Sequence, residues 1–298
     1  MSRTPRPLIR PGGPVATLFA ALVVGFVRRL PRGLRRALAA GLAGLAYALG
    51  IRRRVALDNL GHAFADLTEA ERRAIARGAY RHLAEVALDS VVADQIPDAE
   101  LEETVVVDDW GALGAALEKG GVLIASAHLG SWELLPQVMA RRQVKLSAVV
   151  RPLEGAFNAK VVAARQAAGV ELIVQRGALK HMIRAVRAGR CVVQLIDQSL
   201  PAEAGVFVPF FGRMASTTPA LSMAALRTKA PVFVVVSVRD GDRHRFFFEG
   251  PIPVVETGDR RADVAAHTAK LTAVIEGYVR RYPSQWLWLH RRWKVQPP

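Results

Sequence analysis

Cysteine is nearly missing from these 298 residues: Cys191 stands alone. No internal disulfide can form, and neither C-x-x-C pairs nor a Cys/His cluster with zinc spacing occurs. The expectation is a reducing compartment and no metal. No G-x-S-x-G elbow is present, which counts against a serine-hydrolase nucleophile. Acids are missing from the first 57 residues, which hold eleven arginines ahead of Asp58. They are missing again from residues 280–298, which carry Arg280, Arg281, Arg291, Arg292 and Lys294. Also lacking is any apolar run of the roughly 18 residues that read as a membrane-spanning helix.

A net charge of +15 with 51% hydrophobic residues describes a well-packed globular chain with an unusual surface. Because the charge sits at the two ends and the middle is nearly neutral, it does not describe a nucleic-acid reader, which spreads basic residues over a folded face beside a recognition element. The expected partner of the basic ends is an anionic membrane surface, not nucleic acid.

Two apolar runs, 15–27 and 37–51, lie among the N-terminal arginines. As helices they reach only about 20 Å against a hydrocarbon core of about 30 Å. Shallow insertion with arginines at the headgroups is therefore expected, with a snorkelling single pass and buried core helices as the alternatives. Apolar residues then recur at helical spacing through Leu57, Leu60, Phe64, Ile75, Leu83 and Val86, with Thr68 and Glu71 spaced as a capping box. From Gly121 onward, short apolar runs at 122–127, 145–150, 170–174, 191–196 and 232–238 alternate with helical stretches at 156–168, 178–188 and 219–229. A further strand is expected at 246–248 and a closing helix at 263–281. That order predicts an α/β fold with a mostly parallel central sheet covered by helices on both faces.

In such sheets ligands bind beyond the carboxyl ends of the strands, which selects His128 to Glu133, Arg151, Gln175, Arg176, Asp197 and Gln198. His128 leaves the first strand, passes Gly130 and precedes a helical turn carrying Glu133. A carboxylate brought back to the imidazole would fix its tautomer and free the other nitrogen to take a proton from a hydroxyl. A histidine that merely bonds the turn is the structural alternative. His244 and Glu249 share the spacing but fall in a strand, where an offset of five sends side chains to opposite faces.

The His128-x4-Glu133 pattern resembles the H-x4-(D/E) motif of glycerolipid acyltransferases. The wider sequence, over about residues 54–294, resembles the lipid A biosynthesis lauroyl/myristoyl acyltransferase family. The matches include Asn59-Leu60, Ala63-Phe64, Glu71-Arg72, Arg151-Pro152, Arg165, Asp197-Gln198, the run Phe207 to Gly212, Tyr282-Pro283-Ser284-Gln285, Trp288 and His290-Arg291-Arg292.

The resemblance implies a catalytic His128 partnered by Glu133, with Asp197 able to share or take over that role. Substrate contacts would come from Gly130, Trp132, Arg151, Arg165, Asp197, Gln198, Phe210 and Phe211. Phe210 and Phe211 suit an acyl-chain slot or equally the core. No cofactor is implied beyond acyl-carrier protein or coenzyme A as the acyl carrier, and the acceptor would be a glycolipid such as a lipid A precursor at the cytoplasmic face of the inner membrane. Residues 1–54 would be the anchoring helices and 55–298 the acyltransferase domain, a helical lead-in at 55–100 and an α/β body at 101–298. Trp286, Trp288 and Trp293, interleaved with basic residues, suit a membrane interface. Transfer to another glycolipid resembling a phosphatidylinositol mannoside, thioester hydrolysis, or noncatalytic membrane or nucleic-acid binding are the competing readings.

Overall fold

The computed structural model describes residues 9–10, 13–93, 96–151 and 153–297; Pro152 and the first eight residues of the basic N-terminal segment lie outside them. The chain runs through β1 (Ile9–Arg10), α1 (Pro14–Arg29), α2 (Arg32–Ala48), α3 (Arg53–Ala63), α4 (Glu69–Ser90), α5 (Asp98–Thr104), β2 (Val105–Asp108) and α6 (Trp110–Lys119). It continues through β3 (Val122–Ser126), α7 (Leu135–Arg141), β4 (Leu146–Val150), β5 (Leu153–Glu154), α8 (Ala156–Ala167), β6 (Glu171–Val174), α9 (Ala178–Arg187) and β7 (Cys191–Leu195). A hairpin of β8 (Val206–Phe210) and β9 (Arg213–Thr217) precedes α10 (Ala220–Thr228), β10 (Val232–Asp240), β11 (Arg243–Glu249) and α11 (Arg260–Arg281).

Seven strands form the main sheet in the order β2-β11-β10-β3-β7-β4-β6. Only the β10–β11 hairpin is antiparallel, so β10, β3, β7, β4 and β6 run one way and β11 and β2 the other. Alternate residues of the central strands feed two cores, because a strand's side chains point to opposite faces. Leu123, Ala125, Val192, Val234 and Val236 join α3, α4, α9, α10 and α11 on one face. Val122, Ile124, Cys191, Val193, Phe233 and Val235 join α6 and α7 on the other. A sheet buried on both sides needs continuous apolar strands, which is why β3 is buried at all five positions.

Local signals behave as their chemistry requires. Thr68 and Glu71 form the reciprocal capping box that opens α4. On β11 His244 is buried while Glu249 is exposed and bonds Tyr278, so the second H-x4-E spacing is split across the strand.

The N-terminal helices reverse the usual pattern. Along α1 the small or branched Ala20, Val24 and Val27 are buried, while Val15, Leu18, Phe19, Leu22 and Phe26 face outward at 58–80% exposure. Leu34, Leu42, Leu45 and Leu49 do the same on and just after α2. Among the described residues no single helix is long and apolar enough to cross a membrane, although α2 and α3, bent by 89° at their junction, reach that composition together.

Candidate active site

β3 and β7 are adjacent and parallel in register, with Ser126 opposite Leu195. The residues that follow each strand therefore emerge side by side at the carboxyl edge, next to the point where the chain crosses from one side of β3 to the other. His128 and Asp197 meet there. The His128 Nδ1 lies 2.8 Å from Asp197 Oδ1, and the His128 backbone N–H donates to Oδ2 at 2.8 Å. The Trp286 indole donates to the same Oδ2 at 2.8 Å.

Asp197 is only 4% exposed. Its burial pushes the carboxyl pKa up, but the adjacent His128 charge and the donors from the His128 ring, the His128 backbone and Trp286 outweigh it and hold the group at about 2. A buried anion on Nδ1 fixes the tautomer that carries its proton there and leaves Nε2 as the basic nitrogen. That Nε2 points to the open side, 3.3 Å from the Gln198 side-chain nitrogen, and the imidazole keeps 21% exposure.

The loop after β3 is held by a strap formed from the segment that follows α11. Leu129 bridges Trp286, the Gly130 N–H donates to the Gln285 carbonyl at 3.1 Å, and the Leu287 N–H donates to the His128 carbonyl at 3.2 Å. Gln285 also clamps β10 through reciprocal 2.8 Å bonds with the Arg239 backbone. Gly130 has φ +59°, and a Cβ there would sit 1.9 Å from the Ser237 carbonyl oxygen. Only glycine allows that approach. Gly78 of α4 makes room for Ser284 in the same manner, with a Cβ at 2.7 Å from the serine's own.

Farther along the strap, the Asn59 amide donates at 2.7 Å to both the Trp288 and His290 carbonyls. His290 accepts the Ser199 N–H on Nε2 at 3.0 Å; burial lowers its pKa to about 4 despite the opposing pull of Asp197. Arg292 is fully buried, bonded to the Ser216 carbonyl at 2.7 Å and Thr217 Oγ1 at 2.5 Å, with its guanidinium 5.3 Å from the Phe210 ring centre.

Glu133 takes a different partner from the one expected. Arg165 of α8 grips it through Nη2 at 2.6 Å and Nε at 3.2 Å, and the Trp132 indole adds a bond at 3.1 Å. The Trp132 ring in turn meets the His128 ring edge-on at 5.3 Å. The imidazole is thus oriented by Asp197 from below, while Glu133, Arg165 and Trp132 form a separate polar unit beside it. Physically, the short helical turn at Trp132–Leu134 carries Glu133 toward α8, and the strand register has already filled Nδ1.

A sequence profile of bacterial lipid A biosynthesis acyltransferases matches residues 14–295. The chain belongs to that family. Similar proteins include the lipid A biosynthesis palmitoleoyltransferase of Escherichia coli K12, 25% identical over 250 residues that cover 83% of this chain and 80% of the relative. The lauroyltransferase of the same organism is 25% identical over 280 residues, 92% of this chain and 90% of its own. A lipid A biosynthesis acyltransferase of Haemophilus influenzae is 22% identical over 247 residues, covering 82% and 78%.

Within this family member, Gly130, Trp132, Glu133, Arg165, Asp197 and Gln198 gather around His128, and Arg151 is exposed just beyond β4. Phe210 and Phe211 lie instead in the interior, at 1% and 7% exposure, against Trp286, Trp288, Trp293 and Phe64. The three tryptophans correct the membrane-interface expectation: they are 2%, 0% and 7% exposed because the strap threads them into the core. Trp286 as a donor to Asp197 was missed from the sequence, since a Trp-x-Trp step in irregular backbone carries no periodic signal. Among the described residues no cluster of three or more His, Cys, Asp or Glu could hold a metal ion.

Proposed function

We propose that this protein transfers a fatty acyl group from a thioester carrier to a hydroxyl of a lipid A precursor, with His128 as the general base and Asp197 as its orienting anion. The carrying observation is the His128 Nδ1 to Asp197 contact at 2.8 Å with Nε2 left toward the open side. The acceptor hydroxyl displaces the Gln198 amide from Nε2 and gives its proton to that nitrogen. Its oxygen attacks the thioester carbonyl, and the tetrahedral oxyanion collapses by breaking the C–S bond. The departing thiolate takes the proton back from Nε2, so His128 ends as it began.

Gln198, once displaced, and the Arg165 guanidinium held in place by Glu133 are the donors assigned to the oxyanion. Arg151, exposed beyond β4, suits the phosphate of an acyl-carrier-protein or coenzyme A thioester. The outward stripes of α1 and α2, flanked by arginines, support docking at the cytoplasmic face of the inner membrane, with the apolar side chains in the acyl boundary and the guanidiniums among anionic headgroups.

The test is acyl transfer from acyl-carrier protein or coenzyme A to a lipid A precursor in detergent micelles. His128→Ala should lower kcat by at least about a hundredfold, the low end for losing a general base, and Asp197→Asn by a comparable factor. Turnover unaffected by His128→Ala would overturn the mechanism. Free fatty acid released at the same rate with and without acceptor would make the protein a thioester hydrolase.

A further inference from the structure

A concave surface borders the end of the strap that carries Arg291, Trp293 and Lys294. It is an open cleft of about 710 Å³ formed by the α2–α3 turn, α3, the start of β9 and these three strap residues. Its walls carry Arg52, Arg54, Arg213, Arg291 and Lys294, against a single carboxylate, Asp58. Asp58 neutralises little: the Arg54 Nε is 3.8 Å away, and the two side chains are 94% and 70% exposed. Arg52 donates to the Leu289 carbonyl at 3.2 Å and Arg213 to Gln296 at 3.2 Å, contacts that aim both guanidiniums without cancelling their charge. Arg291 and Lys294 are exposed, and among the described residues neither has an anionic partner.

Five cations around one hollow give it a positive potential, and an anion placed among them is attracted by all five. Guanidinium forks match phosphoryl oxygens in pairs. Position supplies the source of the anion. The cleft wall at Gly50 and Arg52 is continuous with Leu49 and Ile51, which are 68% and 53% exposed and complete the outward apolar stripe of α2. A lipid whose acyl chains lie along that stripe brings its headgroup to the cleft. The volume suits a headgroup, whereas a protein partner needs a broad face of about 800 Å².

We propose that this cleft binds phosphoryl groups on the headgroup of a membrane lipid. Its connection to the dyad is physical: Asn59 on the cleft wall holds the Trp288 and His290 carbonyls, and His290 holds the Ser199 N–H two residues after Asp197. If the lipid is the acceptor, an idea that rests on the acyl-transfer reading, the cleft fixes one end of it while a hydroxyl reaches His128.

The experiment measures binding, so that it does not depend on turnover. The full chain is titrated with nonionic micelles containing phosphatidic acid, and separately with micelles containing diacylglycerol. The variant Arg54→Ala/Arg291→Ala/Lys294→Ala should bind phosphatidic acid micelles about tenfold or more weakly than wild type, with diacylglycerol micelles unaffected. The control Lys180→Ala/Arg184→Ala/Arg187→Ala removes the same charge from the exposed side of α9 and should change binding less than about twofold. Equal losses in both triples, or no loss in the cleft triple, would overturn the proposal. Inorganic pyrophosphate should not displace the micelles at micromolar concentration; displacement there would assign the cleft to a soluble phosphate and overturn the lipid source. Tight phosphatidic acid binding in a protein that transfers no acyl group would leave the cleft standing and remove the acyl-transfer reading. All three cleft positions are exposed, so the folded state should survive their loss, with an unchanged thermal transition as the check.

Discussion

The two basic ends of this chain are alike in composition and opposite in use. Each mixes arginine with large apolar or aromatic residues. At the N-terminal end the apolar side chains face outward from α1 and α2, and the buried positions fall to alanine and valine. At the other end Trp286, Trp288 and Trp293 go inward and even Arg292 is sealed in the core. The difference lies in backbone. Regular helices lay residues out in stripes, one of which can be left for a surrounding apolar phase. The strap has no repeating geometry; its carbonyls and N–H groups are consumed by Asn59, His128, Leu129 and Gly130, and its side chains follow wherever those bonds take them.

Several substitutions would break or sharpen that contrast. The largest effect is expected at the seam between the strap and the loop after β3. Gly130→Ala drives a methyl into the Ser237 carbonyl in a left-handed conformation and should cost at least about 4 kcal/mol, leaving little folded protein; a soluble variant with a wild-type urea midpoint would refute the close approach. Next comes Trp288→Ala, which empties a fully buried site and should lose about 3–5 kcal/mol in urea denaturation.

Acid should act next, and mainly around the loop. His82, buried in α4, and His244, which bonds Ser131, are held by burial at about 4 and about 3. Their folded values lie below the unfolded value of about 6.5, so the unfolded chain takes up protons first. The stability is complete above pH ~6.5 and falls as pH drops toward the folded values. Asp197, depressed to about 2 from 3.8, adds a smaller loss, about 2 kcal/mol, confined to pH below roughly 4. Urea midpoints that stay level from pH 7 to pH 4 would contradict this account. The smallest effect on stability belongs to Phe19→Glu/Leu22→Glu/Phe26→Glu, expected within about 0.5 kcal/mol per position because these side chains are 58–66% exposed. The same variant should lose most of its cosedimentation with anionic vesicles, and retention at the wild-type level would exclude the stripe as the docking face.

Much of the fold was legible because strand and helix periods are local. The central strands, α8 to α10 and the capping box follow from runs of a dozen residues or fewer, and α11 from a longer helical run. β2, α5, α6 and the β8–β9 hairpin escaped, since their short, half-exposed segments carry weak periodic patterns. At the site, proximity along the chain pointed to Glu133, five positions from His128, whereas the contact on Nδ1 comes from a residue 69 positions away. The rule that chemistry gathers beyond strand ends had placed Asp197 on the same short list, but only the pairing of β3 with β7 decides which carboxylate arrives. The strap was opaque for the reason its tryptophans were misread: its order comes from partners in α3, α4 and β10.

The strap also sets a calendar. As the chain leaves the ribosome, α1 and α2 emerge ahead of β3 and β7, the strands that His128 and Asp197 follow. Trp286, which caps the Asp197 carboxylate, and Gln285, which holds Gly130, are made long afterwards. On the proposed reading, synthesis therefore delivers the surface assigned to the membrane well before the contacts that set His128 are complete, and a nascent chain would dock while still chemically mute.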